Sequence, residues 1–177
     1  MSDTIPSNVG IAPDTPLPLR PPMSSSHHDD AGPLDPDALP WATWMEGVQV
    51  KILRASVTAN QYTMLVRFAP GVQLPRHRHL GPVHAWTMSG RWHYLEYDWV
   101  ATAGSYVFEE SLGTHTFATF ADNTEDTLVL FVLQGGMVLL NEHDLPWWHE
   151  DAETALHLYR QALEQQGDVF PEDLILT

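Results

Sequence analysis

The order of apolar and polar residues predicts a run of short strands through the middle of the chain. Between residues 41 and 140, apolar and polar side chains alternate in short segments such as 48–53 and 62–68. Turn residues such as Pro70-Gly71 and Gly135-Gly136 separate these segments roughly every 8–12 residues. This spacing is typical of an antiparallel sandwich or barrel.

Residues 151–166 change to the period of a helix. Apolar side chains recur there at i, i+3, i+4, i+7 and i+11, which places them on one stripe. The stripe consists of Ala152, Ala155, Leu156, Tyr159 and Leu163. Gly167 follows at the position where a glycine commonly ends a helix. We expect this helix to pack against the barrel or against a second subunit.

The ends of the chain differ from the middle in composition. Residues 1–40 hold most of the fourteen prolines and read as an extended tail that cannot bury enough apolar surface to fold alone. The predicted organisation is a tail over 1–40, an all-β barrel over 41–145, and a C-terminal helix with a short tail over 146–177.

Charge and composition exclude several classes of function. The chain carries 8 basic and 23 acidic residues, a formal net charge of −15, which disfavours nucleic acids and anionic membranes as partners. It has no cysteine, so disulfides, iron–sulfur clusters and cysteine-based zinc sites are excluded. No secretory signal and no membrane-spanning run is evident, which predicts a cytoplasmic protein.

Three histidines close together in the sequence are the main chemical signal. His77 and His79 are two residues apart, so on a strand both side chains leave the same face. Gly81-Pro82 then breaks the strand, and His84 begins the next one. A metal ion would remove the cost, about 1–3 kcal/mol for each group, of burying imidazoles without partners. The pattern therefore favours a metal site.

Two glycine-bounded motifs resemble the cupin superfamily. Gly71-x5-His77-x-His79-x4-His84-x5-Gly90 resembles the first cupin signature, and the segment 104–115, which ends in His115, resembles the second. His84 stands where the signature usually has a glutamate ligand, and Glu110 stands near its usual proline. The resemblance implies a jelly-roll barrel, the double-stranded β-helix of cupins.

Longer segments resemble the 2,4′-dihydroxyacetophenone dioxygenase family, namely residues 81–99, 103–109 and 122–132. The resemblance implies a non-haem Fe(II) enzyme that cleaves the C–C bond between the carbonyl and hydroxymethyl carbons of an aryl hydroxyketone, as in the degradation of aromatic ketones. With O₂ as co-substrate, the products would be 4-hydroxybenzoate and formate. By position, the family's iron ligands correspond to His77, His79 and His115. The family also implies a homotetramer, and a dimer is the other homo-oligomer considered.

The residues around these motifs supply further candidates. His84 is retained as a fourth metal ligand or as a neighbour of the ligands. The candidate bases or acceptors that orient the imidazoles are Glu96, Glu109 and Glu110, with Tyr94 beside them in the predicted active site. Because His84, Trp86 and Met88 share one face of their strand, we expect the last two, together with Trp92 and Tyr94, to line an apolar pocket for an aromatic ring.

Two other functions are compatible with the same residues. A dioxygenase for another ketone or diketone would use the same site, because pocket shape sets the substrate. A zinc-binding regulatory cupin without turnover is the alternative of a different class, because histidines bind Zn²⁺ as well as Fe²⁺.

Overall fold

The computed structural model describes residues 33–176, and residues 1–32 of the predicted tail lie outside that range. The described residues form fourteen strands, one α-helix and two short 3-10 helices. The strands are β1 Ala42–Met45, β2 Val48–Ser56, β3 Gln61–Phe68, β4 His77–His79, β5 Val83–Ser89, β6 Arg91–Tyr94, β7 Ala101–Thr102, β8 Tyr106–Glu109, β9 Thr114–His115, β10 Phe117–Thr119, β11 Thr127–Gln134, β12 Met137–Leu140, β13 Pro146–Glu150 and β14 Ile175–Leu176. The 3-10 helices are Pro36–Ala38 and Glu172–Leu174, and helix α1 is Ala152–Gln166.

The strands form three sheets with an almost entirely antiparallel arrangement. The largest has the order β1-β2-β3-β11-β5-β8, with β14 added parallel to β2. A second sheet has the order β10-β6-β7, and a third the order β13-β12-β4-β9. The predicted all-β class with one C-terminal helix is confirmed. β13 and β14 lie beyond residue 145, so pairing of strands continues past the predicted end of the barrel.

The turn at Gly90 shows how the chain passes from one sheet to another. β5 belongs to the largest sheet, whereas β6 pairs with β7 and β10. Gly90 adopts φ 72°, and a Cβ at this position would lie 2.4 Å from Thr127 Oγ1. Glycine is required here both for its positive φ and for the lack of a side chain.

One apolar core joins the largest sheet, the β6–β10 sheet and helix α1. Phe117 of β10 packs on Phe68 of β3, with ring centroids 4.3 Å apart, and on Trp92 of β6 at 4.9 Å. These contacts fix the β6–β10 sheet to the largest sheet, so the positions of β9 and His115, next in the chain to β10, are set by the core.

Helix α1 begins and ends as its sequence predicts. The Asp151 side chain accepts a hydrogen bond from the Thr154 N–H, and Gly167 ends the helix in the left-handed region with φ 84°. The buried side chains of α1 are the predicted stripe: Ala152, Ala155, Leu156, Tyr159 and Leu163. Between residues 33 and 176, no helix has the length and apolar character needed to cross a membrane.

Candidate metal centre

Two short strands of one sheet bring three histidines together. β4 carries His77 and His79 on the same face, and β9 pairs with β4 so that His115 lies opposite His77. All three side chains are buried. One ring nitrogen of each lies within 4.8 Å of the others, so the three could contact a single ion. Among the described residues, this is the group of histidines and carboxylates with the geometry of a metal site.

Hydrogen bonding fixes the tautomer of His77. Its Nδ1 lies 2.9 Å from the carbonyl oxygen of Pro75, which can only accept, so Nδ1 carries the proton and donates. The lone pair of Nε2 is then available to a metal. Burial, with the proximity of His79 and His115, lowers the pKa of His77 to about 3, so the ring is neutral at physiological pH, as a metal ligand must be.

Unpartnered polar atoms indicate that the histidines fit a cation. His79 Nδ1, His115 Nε2 and Glu109 Oε2 are all buried and have no hydrogen-bond partner within the described part of the chain. Buried polar atoms in proteins are rarely left in this state. A divalent cation held by one ring nitrogen of each neutral imidazole would be a partner for His115 Nε2, with Glu109 Oε2 beside it.

Glu109 places a carboxylate beside these histidines. Its Oε2 lies 3.0 Å from His79 Nε2 and 3.2 Å from His115 Nε2. Oε2 has no hydrogen-bond partner in the described part of the chain, so the two distances are close contacts and not hydrogen bonds. The three atoms thus face a common region without bonding to one another, as the ligands of one ion do. Burial by itself raises the pKa of Glu109, but the contacts with the imidazoles of His115 and His79 lower it by a larger amount. The resulting pKa lies well below the usual range.

Tyr94 holds both Glu109 and His115 in place. Its hydroxyl donates to Glu109 Oε1 at 2.5 Å, and its ring stacks on His115 with centroids 3.7 Å apart and planes 10° apart. Burial, followed by the charge of Glu109, raises the pKa of Tyr94, so its hydroxyl keeps its proton and remains a donor. Tyr94 and Glu109 were both candidates from the sequence, and both lie at the histidines in the structure.

A cavity of about 330 Å³ opens inside the barrel against His77, His79 and Tyr94. Its wall is mostly apolar, and the apolar side chains include Met64, Val66, Phe68, Phe131, Leu133, Met137 and Leu139. Leu158 and Ala162 of α1 also contribute to the wall. A second cavity of about 400 Å³ adjoins His115 and Glu109 and is lined by Glu110 and Leu112 among others. Tyr94 borders both cavities.

The structure does not bring His84, Trp86 or Met88 to this centre. They share one face of β5, as predicted, but that face is the outer one, since Val83, Ala85 and Thr87 are the buried residues of the strand. His84 Nδ1 instead lies 2.7 Å from the hydroxyl of Tyr106. The expectations that His84 binds the metal and that Trp86 and Met88 line the pocket are corrected, because these three side chains lie on the outer face of β5.

Trp92 and Glu96 also lie outside the cavities. Trp92 is fully buried in the core, where its indole N–H donates to Thr87 Oγ1, so it packs but borders neither cavity. Glu96 binds Arg76 on the surface and accepts hydrogen bonds from the backbone N–H and hydroxyl of Thr116. Glu96 can therefore fix the backbone next to His115, but it does not reach the cavities.

Glu150 lines the cavity of about 330 Å³ inside the barrel and was not identified from the sequence. Only 4% of its surface is exposed, and it accepts a hydrogen bond from the buried hydroxyl of Tyr62 at 2.8 Å. Glu150 is the last residue of β13, which pairs with β12. The turn residues Asn141 and Asp144 could have revealed this hairpin. In the sequence, Glu150 is followed directly by Asp151, and two consecutive acidic residues instead indicate the start of the helix.

Comparisons with known proteins agree on the fold. The ChrR cupin-like domain family matches residues 31–138. A protein of unknown function with a cupin-like fold from Ralstonia eutropha JMP134 is 29% identical, with a TM-score of 0.78 over 86% of this chain and 96% of that chain. An RmlC-like cupin protein from the same organism is 30% identical, with a TM-score of 0.75 over 82% of this chain and 94% of that chain.

A more distant structure is the acetylacetone dioxygenase of Acinetobacter johnsonii. It is 18% identical, with a TM-score of 0.61 over 66% of this chain and 78% of that chain, a likeness of fold alone. No curated protein sequence matches the chain.

Proposed function

The chain belongs to the family of ChrR cupin-like domains, and from this membership and the geometry of the centre we propose that it is a non-haem Fe(II) dioxygenase. The proposed reaction cleaves the bond between the carbonyl and hydroxymethyl carbons of an aryl α-hydroxyketone. 2,4′-Dihydroxyacetophenone and one O₂ would give 4-hydroxybenzoate and formate, with all atoms of both reactants recovered in the two acids. The resemblance of residues 81–99 to the 2,4′-dihydroxyacetophenone dioxygenase family motivates this substrate.

One observation carries the proposal: a buried three-histidine cluster opens directly into an apolar cavity. The cavity of about 330 Å³ is at the lower end of the range of small-molecule sites. Its apolar walls suit an aromatic ring, and His77 and His79 form part of the same wall. A ketone with its ring among the apolar side chains would present its oxygen atoms to the histidines. The cupin fold is also that of an acetylacetone dioxygenase, which is compatible with dioxygenase chemistry on a ketone.

His77, His79 and His115 would hold the metal, with Glu109 beside it. When bound, Fe(II) would supply the electrons for dioxygen activation and Lewis acidity toward the substrate oxygens. The ionised Oε2 of Glu109 would accept a hydrogen bond from the substrate hydroxyl group and orient it toward the metal. Tyr94 would keep this carboxylate oriented through its hydrogen bond to Oε1. The apolar wall would exclude water from the reacting carbons.

The first test is oxygen uptake by protein loaded anaerobically with Fe(II). Given 2,4′-dihydroxyacetophenone, the protein should consume one O₂ for each 4-hydroxybenzoate and each formate formed. His77→Ala, His79→Ala and His115→Ala should each lose iron and activity while the fold persists. His84→Ala should keep its iron, because His84 lies on the outer face of β5. Iron retained in all three ligand variants would contradict the proposal.

A zinc-binding regulatory protein is the second candidate, since three neutral imidazoles suit Zn²⁺ equally by ligand type. Measuring the affinities for both ions separates the two functions. Tight zinc binding with neither iron uptake nor turnover would favour regulation. Iron binding without turnover of this substrate would point to another ketone or diketone.

We also propose that the protein is a homo-oligomer, assembled through the outer face of β5 and β8. Trp86, Met88, Tyr106 and Phe108 are each about half exposed on this face, with His84 among them. None of these five side chains carries a permanent charge, whereas the chain as a whole carries −15. Two copies that meet through this face would therefore bury apolar surface without placing carboxylates against each other.

A further inference from the structure

We propose that Glu150, held by Tyr62, forms a subsite in the cavity inside the barrel that recognises a hydroxyl group on the substrate ring, away from the reacting carbons. This inference rests on the proposed function for the identity of the ligand. The subsite would select phenolic ketones over ketones whose ring lacks a hydroxyl. It assigns a role to a buried carboxyl group that the reaction itself does not use.

Strand register places Glu150 on the same wall as a metal-binding histidine. In the four-stranded sheet, Met137 of β12 lies opposite His79 of β4 on one side and opposite Glu150 of β13 on the other. Residues in one such row across adjacent strands share a face of the sheet. All three line the cavity of about 330 Å³. Adjacent strands are about 4.8 Å apart, so the backbones of Glu150 and His79, two strands from each other, lie about 10 Å apart across the sheet. This distance is comparable to the length of a substituted aromatic ring.

One oxygen of Glu150 is available to a ligand. Oε1 accepts the hydrogen bond from Tyr62, and Oε2 has no hydrogen-bond partner or cation among residues 33–176. Burying a carboxyl group without a charged partner is costly. Burial raises the pKa of Glu150 to about 7, although the Tyr62 hydrogen bond and the nearby His79 act to lower it. A costly buried group that faces a cavity is typical of a binding site.

Trp44 adds an unpartnered donor to the same cavity. Its Nε1 is buried and has no hydrogen-bond acceptor within the described part of the chain, and its side chain lines the cavity. The residues that line the cavity thus include one with an unpartnered acceptor, Glu150 Oε2, and one with an unpartnered donor, Trp44 Nε1. A hydroxyl group donates one hydrogen bond and accepts others, so it is a chemical class that both atoms can recognise.

The rest of the wall restricts what such a hydroxyl group can be attached to. Most of the remaining lining side chains of the cavity are apolar, among them Met64, Leu133 and Met137. A sugar or another polyol would leave most of its hydroxyl groups unpaired against these side chains, at a cost for each. An aromatic ring with one hydroxyl group matches an apolar wall with a single polar patch.

The test compares the binding of two non-substrates to the full chain loaded with Zn²⁺, measured by calorimetry. The ligands are 4′-hydroxyacetophenone and acetophenone, which differ by one hydroxyl group. At pH 8, where the Glu150 carboxylate is ionised, wild type should bind the hydroxylated ligand about tenfold more tightly or better, the usual effect of a hydrogen bond to a charged group. In the double variant Tyr62→Phe/Glu150→Met, this preference should fall to near one while acetophenone binds as before.

A milder substitution and a matched control accompany the double variant. Glu150→Gln keeps an acceptor for Tyr62 but replaces the charged second oxygen by a neutral amide that can only donate to the ligand. Because a hydrogen bond between neutral groups is weaker, the preference should fall at least severalfold even if the double variant fails to fold. Glu164→Gln changes an exposed carboxyl group of α1 and should leave the preference unchanged. A preference that persists in Glu150→Gln overturns the subsite.

Turnover measurements separate this inference from the proposed function. The same proteins, loaded with Fe(II), are assayed for oxygen uptake with 2,4′-dihydroxyacetophenone and with the analogue that lacks the ring hydroxyl group. Loss of ligand preference in Glu150→Gln without turnover in any protein supports the subsite and rejects the proposed cleavage of 2,4′-dihydroxyacetophenone. Turnover of both substrates with equal efficiency by wild type and Glu150→Gln supports the dioxygenase and overturns the subsite.

Discussion

At the scale of single residues, Glu109 gives this centre a carboxylate that its cupin-like first motif lacks. The motif has His84 where a glutamate is usual, and His84 points away from the other histidines. Glu109 approaches His79 and His115 from another strand, β8. The centre therefore combines three imidazoles with one carboxylate, although the order of residues in the chain does not predict this set.

Glu109→Gln is expected to weaken metal binding about 10–100-fold and to slow turnover, because the amide removes a negative charge next to the cation. Isothermal titration with Fe(II) or Zn²⁺ measures the affinity, and oxygen uptake measures the rate. Glu110→Gln is the matched control, since Glu110 is the next residue and is exposed. Equal metal affinity in the Glu109 variant and wild type would show that this carboxylate does not act on the metal.

The buried carboxyl group of Glu150 predicts a particular dependence of stability on pH. Its pKa is about 7 in the folded protein against an ordinary 4.5. Between these values, the folded protein binds a proton that the unfolded chain has released, so this group's contribution to stability is full below pH 4.5 and is lost as the pH rises toward 7. The loss amounts to about 3 kcal/mol by pH 8.

Glu150→Gln cannot ionise and should escape this loss. In metal-free protein, we compare the melting temperature of Glu150→Gln with that of wild type at each pH. The difference, variant minus wild type, should be about 5–10 °C larger at pH 8 than at pH 5 for a chain of this length. Thermal denaturation followed by circular dichroism measures the difference. The same relative melting temperature at both pH values would mean that Glu150 titrates normally.

At the scale of secondary structure elements, the sequence predicted the helix fully and one strand only in part. The stripe of α1 is apolar on one side and polar on the other, so its buried face follows from the pattern. Both faces of β5 are apolar: Val83 and Ala85 lie on one, Trp86 and Met88 on the other. Alternation alone shows which residues share a face, but only the packing of β5 between β11 and β8 decides which face is buried.

Helix α1 is expected to depend strongly on its buried stripe. Leu163 is fully buried in the core, so Leu163→Ala should lower the free energy of unfolding by about 2–5 kcal/mol. Urea denaturation measures this value. Glu164→Ala, at the next and exposed position, should change it by less than about 0.5 kcal/mol. A similar small change in both variants would mean that the stripe does not hold α1 to the barrel.

At the scale of the whole molecule, the candidate site is assembled from distant parts of the chain. The three histidines lie on β4 and β9, so the two motifs that resemble the cupin signatures were enough to predict that cluster. The cavity inside the barrel also takes residues from β1, β13 and α1, including Trp44 and Glu150. Their approach depends on register between strands far apart in sequence, for which local patterns carry no signal. The histidine cluster was therefore predictable, and the cavity beside it was not.

The exposed aromatic face predicts the assembly of the whole protein. If two copies meet through β5 and β8, Trp86→Glu places a carboxylate at the contact and should shift the protein to a smaller species in size-exclusion chromatography with light scattering. Iron binding should be unchanged, because Trp86 faces away from the histidines. Val169→Glu, at another exposed apolar position, is the control and should keep the wild-type mass. A monomeric wild type would contradict this interface. So would a Trp86→Glu variant with the wild-type oligomeric mass, because a face that contacts no second copy should tolerate the charge.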